Sequence, residues 1–320
     1  MIIFPDHDIA AETNRYASEK QTEKPDGNWR PTNAREIRAF LGFQVVMGIV
    51  SAPTQDMYWT RDSLFRPTTI SERITRQRFE DLARYFHVCD NSTNPPRGQE
   101  GHDKLSHVRS VMTKITTNLR DGYKPHRDVS IDEAMIGYTG RLAFKQYVPM
   151  KPTKRGIKVW MRADPNNGYV NEFQVYTGRR GPDPEHGLGE RVVWDLTRHI
   201  AGQNHHVLCD NYFTSVNLFE RLLAKNTYAC GTVRVNRKGL PKEVTTAKLK
   251  IQGDMVQRQK GNLVATAWRD KRTVDVLGTN SDPQTTTTVT RKQKSGQLKD
   301  VRVSGRHKKL HGKHEWRRSR

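Results

Sequence analysis

Two aspartates stand where carboxylates are scarce. Asp132 is the polar member that continues the strand-like alternation Val129-Ser130-Ile131, and Asp210 follows the apolar run Val207-Leu208-Cys209, although aspartate is disfavoured inside strands. If the two segments are neighbours in one sheet, both carboxylates reach the same rim and can share a divalent cation. Hard carboxylate oxygens select Mg²⁺ or Mn²⁺ over zinc, and such ions stabilise the attacking and leaving oxygens of phosphoryl transfer. Taken singly, an aspartate at a strand end is a turn or cap residue. Glu133 alternates to the other side of its strand and is left out of the expected site.

The surroundings carry the opposite charge. Arg141, Lys145, Lys151, Lys154, Arg155 and Lys158 are interleaved with Phe144, Tyr147 and two prolines, a texture that suits a loop lying along a polyanion. The whole chain holds 55 Lys and Arg against 34 Asp and Glu, a net charge of +21, an excess that accompanies nucleic acid or an anionic surface. The longest apolar run, Ala39 to Val50, is interrupted by Gln44 and too short to span a membrane. No signal-peptide pattern follows Met1. Cys89, Cys209 and Cys230 have no zinc-knuckle spacing and fit a reducing compartment. Gly178 to Gly189 lacks the Gly-Lys-Ser or Gly-Lys-Thr ending of a phosphate loop, so no nucleotide cofactor is expected. His307, His311 and His314 fall at helical spacing in a basic tail and read as bystanders.

The elements that must position the acids follow from periodicity. Residues 1–127 read as helical: a weak amphipathic run from Phe4 to Glu19, a helix from Ala34 to about Val50 opened by the Asn33/Glu36 capping box and expected to be buried, and apolar repeats at Phe79, Leu82, Phe86 and at Val108, Met112, Ile115, Leu119. From Asp128 the period becomes that of strands. Ile157 to Ala163 and Tyr169 to Tyr176 flank Pro165-Asn166-Asn167-Gly168, whose Asn-Gly suits a tight hairpin. A helix from Glu190 to Ala201, a strand from His205 to Cys209, a helix capped by Thr214 and a strand from Tyr228 to Val233 complete residues 128–235. Residues 236–280 form a strand meander, and residues 281–320 a polar linker and a basic tail without a periodic face, expected to be disordered. Three strands, helix, strand, helix, strand is compatible with a mixed α/β sheet.

The runs SIDEAMIGYTGR, Pro149 to Lys158, LCDNYFTS and GTVRVNRKGLP occur in the order in which they stand in piggyBac transposases and their host-derived proteins, and the chain resembles that family from Phe4 to about Asp300. The resemblance implies a ribonuclease H-like fold with a β-rich insertion, a helical region for dimerisation and DNA binding, and a homodimer. It makes Asp132 and Asp210 the first two members of a three-aspartate Mg²⁺ or Mn²⁺ site. It makes Lys151, Lys154, Arg155, Lys158, Arg234 and Arg237 contacts to double-stranded DNA, with transposon ends and TTAA target sites as partners and the nucleus as location. Tyr212 and Phe213 are core residues or rings that pack on a nucleotide. The family's third aspartate, in a Gly-Gly-Val-Asp motif, does not occur after Lys260. Asp270, Asp275, Asp282 and Asp300 lack its context, which is the break expected of a changed reading frame or final exon. The expected protein therefore binds DNA and is catalytically impaired. A competent enzyme completed by Asp300, a host-adopted chromatin protein without chemistry, and an RNA-binding protein are the alternatives.

Overall fold

The computed structural model describes residues 6–62, 68–179, 185–279, 282, 284–292 and 296–305, and the chain divides between Asn118 and Leu119 into two compact units. The first is built from helices α1 (Asp6–Glu23), α2 (Ala34–Ile49), α3 (Thr68–Ser71), α4 (Arg76–Tyr85) and most of α5 (Ser106–Asp121). Its core gathers Ile9, Ile37, Phe40, Phe79 and Leu82. The Asn33 side chain caps α2 by accepting the Glu36 amide at 3.0 Å, while the Glu36 carboxylate takes the Thr32 hydroxyl at 2.7 Å and the buried Arg78 guanidinium at 2.8 Å. The expectation that the second half of α2 is buried is corrected. Ile37, Phe40 and Phe43 form its buried stripe, and Val45 and Ile49, one turn apart on another side, are 64% and 78% exposed.

The second unit is organised by one nine-stranded sheet. Its elements are β1 (Asp128–Gly137), β2 (Gln146–Tyr147), β3 (Arg155–Ala163), β4 (Val170–Val175), α6 (Leu188–Thr197), β5 (His206–Cys209), α7 (Val216–Leu223), β6 (Tyr228–Thr232), α8 (Lys242–Thr245), β7 (Met255–Lys260), β8 (Leu263–Arg269) and β9 (Thr273–Thr279). β3 pairs antiparallel with both β1 and β4, and β5 runs parallel to both β1 and β6. The order β4-β3-β1-β5-β6 is the ribonuclease H-like arrangement. Apolar stripes of α6 (Val192, Val193, Leu196) and α7 (Leu218, Phe219, Leu222) cover one face, against Val129, Ile131, Val207 and Ala229. Ser215, and not the expected Thr214, caps α7 by accepting the Leu218 amide at 3.1 Å. Thr214 is committed to the preceding turn, where its hydroxyl donates to the Asp210 carbonyl at 2.8 Å.

The expected 236–280 meander is present as β7, β8 and β9 and continues the main sheet, because β9 pairs antiparallel with β6. Two further expectations change. The β3–β4 connection is the wider loop 164–169, built around the fully buried carboxylate of Asp164. This group accepts from the Asn166 amide at 2.9 Å, the His126 amide at 2.8 Å and the Tyr123 hydroxyl at 2.7 Å, so it also anchors the chain just before β1. Finally, residues expected to be linker and tail form an antiparallel hairpin, β10 (Thr286–Lys292) and β11 (Leu298–Ser304). Val301 and Val303 are buried against Trp268, whose indole donates to the Arg302 carbonyl at 2.8 Å. The rest of the basic tail, with its three histidines, lies outside the described residues. Among those described, no helix is long and apolar enough to cross a membrane.

Trp268 is fully buried, so Trp268→Ala is expected to lower unfolding free energy by about 3 to 5 kcal/mol in urea titration, with new proteolytic cleavage in 286–304. Asp164 gives a pH signature. Burial opposes its charge, but the His126 and Asn166 amides and the Tyr123 and His126 side chains overcome that and bring its pKa down to about 2. A depressed carboxylate adds stability above its unfolded pKa of about 4, and this is lost as pH falls towards the folded value. Asp164→Asn should flatten the fall in the urea midpoint between pH 4 and 2, and a slope as steep as that of the parent would contradict the assignment.

Candidate metal centre

The parallel ladder of β1 and β5 runs Asp128↔His206, Val129↔Val207, Ser130↔Leu208 and then stops. Two residues beyond Ser130 and Leu208, on the same face by alternation, stand Asp132 and Asp210. The structure brings them together, and a ligand oxygen from each of Asp132, Glu133 and Asp210 lies within 4.8 Å of the other two. Glu133 faces the helix-covered side as expected, directly across from Trp160 of β3, but its exclusion from the acid cluster is corrected. Because β5 has already ended, the edge of β1 is open there, and a glutamate is long enough to turn its carboxylate around that edge.

Several contacts hold the turn that carries Asp210. One of its carboxylate oxygens accepts the Tyr212 amide at 2.9 Å, and its carbonyl accepts the Phe213 amide at 3.2 Å and the Thr214 amide at 3.1 Å. Gly231 on β6 makes room, since a Cβ there would sit 2.2 Å from the Thr214 hydroxyl and 2.7 Å from the Cys209 carbonyl. Arg237 closes the turn from outside, donating to the carbonyls of Asn211 at 3.1 Å and Tyr212 at 2.7 Å.

The six basic residues singled out in the sequence divide by environment. Lys154, Arg155 and Arg234 are exposed, with Arg155 stacked 5.1 Å from the Tyr147 ring centre and Arg234 reaching the Asn211 side chain at 3.4 Å. Lys158 is held 5.5 Å from the Trp160 ring and 5.2 Å from the Tyr212 ring. Lys151 pairs with Glu133 at 3.1 Å, and Arg237 is engaged in the turn. Burial opposes ionisation of Glu133, but Lys151, with Lys158 and a hydrogen bond with Asp132 behind it, holds its carboxyl below the usual range. Phe213 is buried core; Tyr212 remains partly exposed.

The donor set suits a hard cation. Oxygens around octahedral Mg²⁺ lie roughly 3 to 4 Å apart, so three carboxylates already within 4.8 Å need only a small closure to hold one. Other acids weighed in the sequence stand apart from this cluster. Asp270 pairs with Arg291 at 3.3 Å, Asp282 accepts the Gln284 amide at 2.8 Å, and Asp300 of β11 accepts the Thr290 hydroxyl of β10 at 2.8 Å. Asp275 lies on β9 with one oxygen buried and unpartnered, and burial raises its pKa to about 6.

A family model described as Transposase IS4 matches residues 6–320, and the human PiggyBac transposable element-derived protein 3 is 32% identical over 258 residues, 77% of this chain. The chain belongs to the piggyBac-type transposase family. Human PiggyBac transposable element-derived protein 2 is 27% identical over 278 residues, 84% of this chain. A piggyBac transposase, solved by cryo-EM in a synaptic complex with hairpin DNA, superposes with a TM-score of 0.74 at 26% identity over 92% of this chain, in keeping with the ribonuclease H-like DDE fold. The chain spans 42% and 45% of the two human relatives and 62% of the solved transposase. The family match continues to residue 320, past the break expected near Asp300. Glu133 and the internal commitments of Lys151 and Arg237 were missed by sequence reasoning, because no residue pattern reports where a neighbouring strand ends.

Proposed function

We propose that this piggyBac-type chain is a double-stranded-DNA-binding protein whose Asp132 and Asp210 form the metal-holding part of a phosphoryl-transfer site. The observation that carries the reading is the convergence of Asp132, Glu133 and Asp210 where the parallel β1–β5 ladder ends. Asp132 and Asp210, with Glu133 beside them, would hold Mg²⁺ or Mn²⁺, which supplies Lewis-acid activation of an attacking oxygen at a phosphodiester. Lys154, Arg155 and Arg234 are the exposed cations placed to bind the DNA backbone, which gives salt-sensitive binding that tolerates sequence. Lys158 adds positive charge beside the cluster. The bond attacked would lie at transposon ends, and TTAA would be the target, as the resemblance implies.

The test uses the full chain on duplexes carrying terminal repeats flanked by TTAA. Binding is expected to persist in EDTA and to weaken steeply with salt. Mg²⁺-dependent nicking is expected, and is expected to vanish in Asp132→Asn. Preference for RNA over duplex at matched salt, or nicking unchanged by Asp132→Asn, would overturn the reading.

A further inference from the structure

Lys151 belongs by sequence to the basic segment that suits DNA, yet its charge is turned inward. It sits in the turn between β2 and β3, closed by the Val148 amide donating to the Lys154 carbonyl at 2.8 Å and the Lys151 amide donating to the Val148 carbonyl at 3.2 Å. Its neighbour Met150 is 92% exposed. From this turn the Lys151 ammonium reaches back to β1 and bonds Glu133 twice, at the carboxylate (3.1 Å) and at the main-chain carbonyl (3.1 Å). The same Glu133 carboxylate contributes to the acid cluster with Asp132 and Asp210. One carboxylate is thus shared between an ammonium on an exposed turn and the place a divalent cation would occupy.

We infer that Glu133 and Lys151 form a metal-released phosphate contact: a divalent cation entering the acid cluster takes over Glu133, and Lys151, freed from it, joins Lys154 and Arg155 on the DNA backbone. A divalent cation and the ammonium are like charges drawn to one carboxylate, so each weakens the hold of the other. Lysine suits the exchange because its point charge sits on a flexible stem and needs no fixed bidentate partner. The consequence is reciprocal coupling between metal and DNA, separate from any chemical step. The inference rests on the metal reading proposed above, which the test distinguishes from it.

The first measurement is Mn²⁺ affinity of the full chain without DNA, read by electron paramagnetic resonance. Lys151→Met should bind Mn²⁺ about ten-fold more tightly than the parent, Lys151→Arg should return towards the parent value, and Glu133→Gln should bind more weakly and no longer respond to Lys151→Met. The second measurement is the salt dependence of duplex binding, with Ca²⁺ or with EDTA. The slope of log affinity against log salt should steepen by about one phosphate contact on adding Ca²⁺ in the parent and stay unchanged in Lys151→Met. A parent that binds no Mn²⁺ would overturn the metal reading and this inference with it. A parent that binds Mn²⁺ with an affinity untouched by Lys151→Met would overturn the exchange alone.

Discussion

The parallel pairing of β1 with β5 is the constraint on which the rest depends. Three ladder positions, ending at Ser130↔Leu208, fix the separation of two chain segments that lie far apart in sequence. Because the ladder stops two residues short of the acids, Asp132 and Asp210 emerge at an open rim where their charges face each other. Carboxylates so placed repel unless a cation joins them, and the helix-covered core beneath, Val129, Ile131, Val207 and Cys209 with α6 and α7, sustains that arrangement. Burial of one side of the sheet is what makes the register hard to slip, since a shift of one residue would drive Ile131 out of the core and an acid into it.

Around this rim the protein compensates charge with side chains drawn from several elements. Lys151 comes from the β2–β3 turn, Lys158 from β3, and Arg237 from the segment after β6. Two of them neutralise or lean on Glu133, and the third pins the Asp210 turn through main-chain carbonyls. The large positive excess of the sequence is therefore not all surface charge for a partner. Part of it is internal wiring around the three acids, at half-buried positions where such pairs count for more than on an open surface.

Much of this was legible in the sequence, and the reasons for the misses are physical. The strands carrying Asp132 and Asp210 declare themselves by alternation and by an apolar run, and the helices α6 and α7 by their stripes. Period-two alternation assigns Glu133 to a face correctly, but says nothing of the free edge that lets its side chain turn towards the acids. The Asn-Gly pair suggests the tightest hairpin, whereas Asp164, with buried bonds to spare, organises a wider loop. The hairpin of β10 and β11 hides among threonines and lysines because, among its described residues, the apolar ones packed with Trp268 are Val289, Val301 and Val303, too few to stand out by composition. The apolar second half of α2 misleads in the other direction: composition marks it as core, while the spacing of Ile37, Phe40 and Phe43 confines burial to one stripe.

The most direct measurement of the central claim is anomalous X-ray diffraction from crystals of the chain soaked in Mn²⁺. The account predicts a peak within coordination distance of carboxylate oxygens from both Asp132 and Asp210, past the end of the β1–β5 ladder. Mn²⁺ seated elsewhere with that rim empty, or the two carboxylates on opposite faces of the sheet, would contradict it.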